Sequence, residues 1–359
     1  YNPDVQQRHL NKDRKSDEAG KSVHPGGRRI IKKTMASPPV QIGAHAGVGT
    51  VLFDMAVNPV NGKLYVSNTE ARNEVRFEGP GLAFGSSTVR SHLHEARITV
   101  IDGASVQPRH LNKHIDYSVV PSDGKTKRKS LATPVGLAVS SNGAKLYVAG
   151  FGSSRVGVYK TRQIEDDSFV PSPTKYIPVT GGGPTGLVLD EVRGRLYVLT
   201  RFDNAISVID TATAAEIDHQ PIFNPEPAAV VDGRPMLYDA RFTSSNGEAS
   251  CSSCHVFGDN DSLAWDLGNP DDDVLPNDNP FEFEINFPRP DFHPLKGPMT
   301  TQSLRGMAHS GPMHWRGDRS GANDPGGTTP DALDEVKAFK RFNPAFVGLV
   351  GRATPLSDA

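Results

Sequence analysis

Asn61-Gly62-Lys63-Leu64-Tyr65-Val66-Ser67 returns as Asn142-Gly143-Ala144-Lys145-Leu146-Tyr147-Val148, and again as Arg193-Gly194-Arg195-Leu196-Tyr197-Val198-Leu199. In each copy a turn dipeptide precedes a β-prone run, and Asn-Gly is a strong hairpin signal because both residues tolerate positive φ. Another apolar run lies ahead of each copy, at Leu52 to Val57, Val135 to Val139 and Thr185 to Leu189. A further strand follows each, at Ile98 to Asp102, Val156 to Tyr159 and Ile206 to Asp210. Short strands repeated as a unit predict the blades of an all-β propeller over 47–228, rather than a sandwich of unrelated hairpins.

The spacing within the repeats is regular except in the first. Tyr147 to Tyr159 and Tyr197 to Ile209 each span 12 residues, whereas Tyr65 to Ile101 spans 36. The difference places an insertion of about 24 residues between Ala71 and Ala96. An octapeptide also repeats: Val5-Gln6-Gln7-Arg8-His9-Leu10-Asn11-Lys12 matches 106–113 at seven of eight positions. The second copy is read as directly following a blade's outer strand, so residues 1–46 are read as the end of a preceding blade plus a basic connector. Closed propellers have about four to eight blades. Three visible blades therefore predict either missing blades on a longer chain or a partner chain that covers the open edges. The Leu-Tyr-Val cores and Val-Ile-Asp ends resemble the YVTN type of propeller repeat, from about Gly47 to Pro227.

The 359 residues carry a formal net charge of −2, which does not point to a nucleic-acid partner. The 35 Gly and 29 Pro argue for a turn-rich chain. No apolar run of about 18 residues exists, so no transmembrane segment is expected. The basic residues Arg14, Lys15, Arg28, Arg29, Lys32 and Lys33, and the run Lys125 to Lys129, read as solvated, partly disordered connectors in preference to a docking surface.

From Val230 the repeats stop and Asp, Asn and Pro become dense. There the chain places its only two cysteines, in Cys251-Ser252-Ser253-Cys254-His255. This C-x-x-C-H pentad is the attachment signature of a c-type haem: two thiols add to the two vinyl groups, and the adjacent imidazole ligates the iron. A zinc site would want further ligands at similar spacing, and a redox pair would want a strand-to-helix context. One covalent haem c per chain is the expectation, with Cys251, Cys254 and His255 as its holders and His255 as the metal ligand. Such attachment occurs outside the cytoplasm, so a periplasmic or extracellular location is expected. Either a targeting segment removed ahead of Tyr1 or a missing upstream stretch of chain is then expected.

Two further segments carry a resemblance. The run 233–242 with Ser245 to Ser250 precedes the pentad, and Thr301-Gln302-Ser303-Leu304-Arg305-Gly306 with Pro312-Met313-His314 follows it. Together they resemble the bacterial di-haem cytochrome c peroxidase family, with a departure at Trp315-Arg316-Gly317-Asp318, where that family has Asp-Gly soon after His. The resemblance implies a mainly α-helical, loop-rich cytochrome c domain over 229–359, so the fold class expected is multidomain. It also implies a second C-x-x-C-H, which this sequence lacks; either that haem lies beyond Ala359 or the chain is a one-haem variant. Arg305 is expected to meet a haem propionate through a bidentate contact, or else to form a surface salt bridge.

The ligand on the far side of the iron stays open. Met299 lies 44 residues after His255 in a loop-like setting, Lys296 to Thr300, and its rivals are Met307, Met313, His309 and His314. Trp265 and Trp315 are candidates to line the haem. Asp259, Asp261, Asp266, Asp271, Asp272 and Asp273 form an oxygen-rich stretch that can hold calcium, but it misses the EF-hand spacing and reads better as a solvated loop. A helix is predicted over 331–341, capped by Thr329, with Pro330 in the first turn and Asn343-Pro344 as the stop.

Three functions follow. The first is single-electron transfer by an extracytoplasmic haem protein, with the propeller as scaffold or docking module for a redox partner protein or another haem domain. The second is cytochrome c peroxidase-like reduction of hydrogen peroxide, with His314 or His309 as the acid–base group. The third is a non-catalytic binding or assembly module with a structural haem, since propellers host many functions.

Overall fold

The computed structural model describes residues 48–75, 89–268, 273–277, 290–314, 316–323 and 331–356. Three four-stranded antiparallel sheets follow one another along the chain, each a meander in strict sequence order. The first holds β1 (Val51–Val57), β2 (Leu64–Ala71), β3 (His94–Asp102) and β4 (Ser105–His110). The second holds β5 (Pro134–Val139), β6 (Lys145–Gly150), β7 (Arg155–Lys160) and β8 (Tyr176–Pro178). The third holds β9 (Pro184–Asp190), β10 (Arg195–Thr200), β11 (Ala205–Asp210) and β12 (Ala215–Pro221).

The repeats in the sequence are repeats in register. Tyr65 faces Val100, Tyr147 faces Val158 and Tyr197 faces Val208, while on the other side the same tyrosines face Ala56, Ala138 and Val188. Neighbouring sheets pack face to face. Tyr65, Ile98 and Val100 of the first meet Leu137, Leu146 and Val148 of the second in one buried cluster. Tyr147, Val156 and Ile177 of the second meet Leu196, Val198 and Ile209 of the third in another. The period-two alternation on these strands puts the apolar set between the sheets.

The innermost strands lie side by side. Asp54 Oδ2 accepts from the Leu137 N–H at 2.9 Å, which ties the first sheet to the second. Gly136 lies so close to Thr185 that a Cβ on it would stand 2.0 Å from the Thr185 carbonyl oxygen. Sequential four-stranded meanders, stacked face to face with their first strands adjacent, make a propeller-like all-β arrangement. Leu52, Met55 and Val57 on β1 and Val188 on β9 are exposed.

Several expectations are corrected. Each sheet has a fourth, outer strand beyond those read from the sequence. Residues 106–110 of the repeated octapeptide are themselves that strand in the first sheet, pairing Arg109 with Ile98, rather than a segment after it. The other copy lies outside the described residues. In the first sheet β2 and β3 run on to the pair Ala71–His94, so part of the inserted length extends the two strands and the rest lies between them. The run Lys125 to Lys129 is not an unstructured connector: it forms most of helix α1 (Gly124–Lys129), capped by Asp123, which accepts from the Thr126 N–H at 2.7 Å. The other basic run, within 11–35, lies outside the described residues.

After Pro227 the chain forms α2 (Ala228–Tyr238), α3 (Ala240–Thr243), β13 (Ala264–Leu267), β14 (Gly297–Thr300), α4 (Glu335–Phe342) and α5 (Ala345–Gly348). This is not a mainly α-helical domain among the described residues. Pro235 sits inside α2, and positive-φ glycines such as Gly247, Gly258, Gly268 and Gly297 break the chain into short pieces. The helix predicted at 331–341 starts later, at Glu335, because Asp334 accepts from the Lys337 N–H at 2.9 Å and takes the cap position. Thr329 and Pro330 lie outside the described residues. No helix among the described residues is long and apolar enough to cross a membrane.

Candidate functional site

The run leading to the pentad is locked onto the first two sheets. Asp239 Oδ2 accepts from Ser154 Oγ at 2.6 Å, Asn246 Nδ2 donates to the Ser91 carbonyl at 2.7 Å, and Ser130 Oγ donates to the Asn246 carbonyl at 2.6 Å. Glu248 is the strongest anchor. Its fully buried carboxylate accepts from the Ala96 N–H (3.1 Å), Asn112 Nδ2 (2.9 Å) and the Tyr117 hydroxyl, and lies 2.7 Å from His110 Nε2. Burial alone would raise the Glu248 pKa, but His110, Tyr117 and Asn112 outweigh it and hold the carboxyl below its usual range. Burial alone would lower the His110 pKa, but the Glu248 carboxylate outweighs it and the net shift is upward.

The pentad begins in a single 3-10 turn, Cys251–Ser253, closed by a hydrogen bond from the His255 N–H to the Cys251 carbonyl at 3.0 Å. Both cysteines are free thiols. They pack against an apolar cluster of Ala71, Val89, Leu93, Trp265, Phe346 and Val350, drawn from the first sheet, its insertion and the C-terminal helices. Burial pushes the Cys251 thiol up to about 11 and the Cys254 thiol well above its ordinary value. His255 points one ring nitrogen at a backbone acceptor, with Nδ1 2.7 Å from the Gln302 carbonyl oxygen. Burial lowers the His255 pKa, which favours the neutral ring. A carbonyl only accepts, so Nδ1 carries the proton and Nε2 keeps its lone pair.

Arg305 sits against the loop just after the pentad. Its guanidinium pairs with Asp259 Oδ2 at 3.3 Å and donates to the Phe257 carbonyl at 3.3 Å, and its side chain is exposed. Met299 is not in a loop: it lies on β14 directly opposite Trp265 on β13, so the two share one face of a two-stranded sheet. His314 has Nδ1 2.9 Å from Asp318 Oδ1 and its ring edge-on to Phe342 at 5.3 Å. Phe342 itself packs against the cluster that holds the cysteines. The backbone N–H of the exposed His309 donates to Glu335 Oε1 at 2.7 Å. Met307 and Met313 are half-buried. Among the described residues, no hydrogen bond joins His314, His309 or Met299 to the pentad. Trp315 lies outside the described residues.

The acidic stretch does not behave as one solvated loop. Asp261 is buried, with Oδ2 accepting from Trp265 Nε1 at 2.9 Å and Oδ1 from the Leu263 N–H at 3.1 Å. Asp271 and Asp272 lie outside the described residues. Beside Asp261 the fold brings a residue that sequence reasoning missed. His94, the first residue of β3, is 1% exposed, and neither ring nitrogen has a hydrogen-bond partner among the described residues. One ligand atom each from His94, Cys254 and Asp261 lie within 4.8 Å of one another. His94 also stands 5.2 Å from Trp265, ring centre to ring centre. Burial holds the His94 ring down to about 4, so it is neutral at neutral pH.

A second space lies at the inner end of the sheets. Leu52, Phe53, Val135, Gly136, Thr185 and Leu187 line a cavity of about 400 Å³. Phe257, two residues beyond the pentad, closes onto it and stands edge-on to Phe53 (6.1 Å) and Phe151 (5.5 Å). The pentad segment thus packs on one side against the paired ends of β2 and β3 and the residues between them, and reaches the inner strands on the other through Phe257.

No protein-family model matches the chain, and no curated protein matches it. Among solved structures it is similar to Kuenenia stuttgartiensis hydrazine synthase, at 20% identity over 45% of each chain with a TM-score of 0.31. It is also similar to a gluconolactonase from Xanthomonas campestris, at 18% identity over 47% of this chain and 46% of that one (TM-score 0.30). The WD40 repeats of RRP9 match at 12% identity over 48% of this chain and 39% of that one (TM-score 0.29). The matched part spans less than half of each of these structures.

Proposed function

We propose that this chain is an extracytoplasmic c-type haem protein that moves single electrons, with the sheets as its scaffold. The observation that carries the reading is the state of the pentad. Two cysteines that share no disulfide and an imidazole leave one turn together, and His255 Nδ1 is tied to the Gln302 carbonyl at 2.7 Å. A metal-ligating histidine characteristically gives its second ring N–H to such an acceptor, which fixes the tautomer and raises the basicity of the other nitrogen. The donor set fits haem c: Cys251 and Cys254 would hold it through thioethers and His255 Nε2 would face the iron. The apolar cluster around the thiols supplies a low-dielectric wall. When bound, haem c supplies a one-electron couple set by its axial ligands and surroundings. The chain's own part is to orient the imidazole, exclude water from the thiol side and hold the turn rigid through Glu248.

The test is maturation of the full chain in a compartment that attaches haem c, followed by a pyridine haemochrome assay on denatured protein. One covalent haem per chain, lost when Cys251 and Cys254 are both changed to alanine, is the expected result. Absence of covalent haem from the wild-type chain under those conditions would overturn the reading. Spectra with and without cyanide then separate the roles: resistance to cyanide favours electron transfer, and a shift on cyanide or peroxide favours peroxide chemistry.

A further inference from the structure

We infer that His94, Cys254 and Asp261 form a binding site for one divalent metal ion of the zinc class whenever the Cys254 sulfur is free. The three ligand atoms lie within 4.8 Å of one another, close enough for one ion to reach all three after small side-chain shifts. The ligand set of thiolate, imidazole and carboxylate suits Zn(II) or Co(II), and three protein ligands leave a fourth position for water. His94 is the independent pointer. It is buried to 1% exposure with both ring nitrogens unpartnered, an expensive arrangement for a polar ring unless something occupies it.

The surroundings fit the same role. Trp265 Nε1 donates to Asp261 Oδ2 at 2.9 Å and the Leu263 N–H donates to Oδ1 at 3.1 Å, so the carboxylate is already oriented. A divalent ion among one thiolate and one carboxylate brings the cluster to net zero charge, which an apolar wall tolerates. Cys251 is not part of the cluster, so the site does not use the C-x-x-C spacing. A thioether at Cys254 would remove the thiolate, so haem attachment at that sulfur and metal binding exclude each other.

The experiment uses the full chain produced where no haem is attached, titrated with Co(II) and followed by absorption. Expected are one ion per chain and a thiolate-to-cobalt charge-transfer band that Zn(II) displaces. His94→Ala and Cys254→Ser should each weaken binding by at least about tenfold, and Cys251→Ser should leave it unchanged. Differential alkylation of the unmutated chain needs no variant: Zn(II) should protect Cys254 more than Cys251, read by mass spectrometry. Absence of stoichiometric binding would overturn the site. So would binding that survives His94→Ala but is lost in Cys251→Ser, or equal protection of the two cysteines. The haem reading fails separately: a chain that binds Co(II) yet never acquires covalent haem sinks that reading alone, and the reverse sinks only the metal site.

Discussion

Changing Glu248 to alanine is expected to lower the stability of the fold by about 3–5 kcal/mol, the cost of removing one partner from a buried charged network. The carboxylate has four partners: the Ala96 N–H, Asn112 Nδ2, His110 Nε2 and the Tyr117 hydroxyl. Asn112 Nδ2 keeps a second acceptor, the Leu131 carbonyl at 3.0 Å, and Tyr117 keeps His110 at 3.3 Å. The Ala96 N–H is left bare, which costs about 1–3 kcal/mol, and the rest comes from the stranded histidine and the void. Glutamine fills the same volume and still accepts through one oxygen, so Glu248→Gln should cost about 1–2 kcal/mol. The two titrations set the pH dependence. The lowered Glu248 pKa stabilises above its unfolded value near 4.3, and this is lost as pH falls through the folded value. The raised His110 pKa stabilises fully below its unfolded value near 6.5, and this is lost as pH rises through the folded value. The wild-type advantage over Glu248→Gln is therefore greatest between about pH 4.5 and 6.5 and smaller on either side. Urea unfolding of both proteins at pH 5.5 and 8.5 measures it. An advantage that grows toward alkaline pH, or an alanine variant within about 1 kcal/mol of wild type, would refute the reasoning.

Other substitutions probe the frame and the caps. Gly136→Ala drives a Cβ into the Thr185 carbonyl and should force the second and third sheets apart at their inner strands, at about 1–3 kcal/mol, seen as a lower urea midpoint. Tyr65→Phe removes the hydroxyl that donates to Glu165 Oε1 at 2.5 Å and accepts from Asn58 Nδ2 at 2.9 Å; a loss of about 1–2 kcal/mol in thermal or urea unfolding is expected. Asp334→Ala should cost about 1 kcal/mol by unfastening the start of α4, detectable as faster amide exchange in that helix. Because burial lowers the His94 pKa to about 4, its contribution turns unfavourable as pH falls below about 6.5; His94→Phe should flatten the acid side of the stability profile.

The blades were legible because their inner three strands carry apolar alternation between turn dipeptides that demand positive φ, as at Gly62, Gly143 and Gly194. The outer strands were not. Ser105–His110 holds Pro108, Tyr176–Pro178 is three residues long, and Ala215–Pro221 is largely polar. Edge strands tolerate proline and polar faces, so nothing in their composition separates them from loops. The turn at Cys251–His255 stood out in the sequence because its five residues are contiguous. His94 was not, because it stands 160 residues before Cys254 and only the pairing of Ala71 with His94 carries it to the buried side. Met299 read as a loop because Gly297-Pro298 precedes it, yet the pairing with Trp265 makes it a strand. The mainly helical expectation for the last third followed a family resemblance, and the glycines and Pro235 overrode it locally.

The Glu248 anchor also bears on the order in which the molecule assembles. Its partners lie 131 to 152 residues earlier in the chain, at Ala96, His110, Asn112 and Tyr117. Contacts of such separation close late, after the local meanders that create their binding surface have formed. The Cys251–His255 turn is therefore expected to dock after the first sheet has formed, with its two thiols more open to reagents until then. Modification of those sulfurs is expected to be faster in that interval than in the docked chain, which alkylation during and after refolding measures. A slower-docking variant such as Glu248→Ala lengthens the interval, so a loss of stability and a gain in thiol access arise from the same side chain.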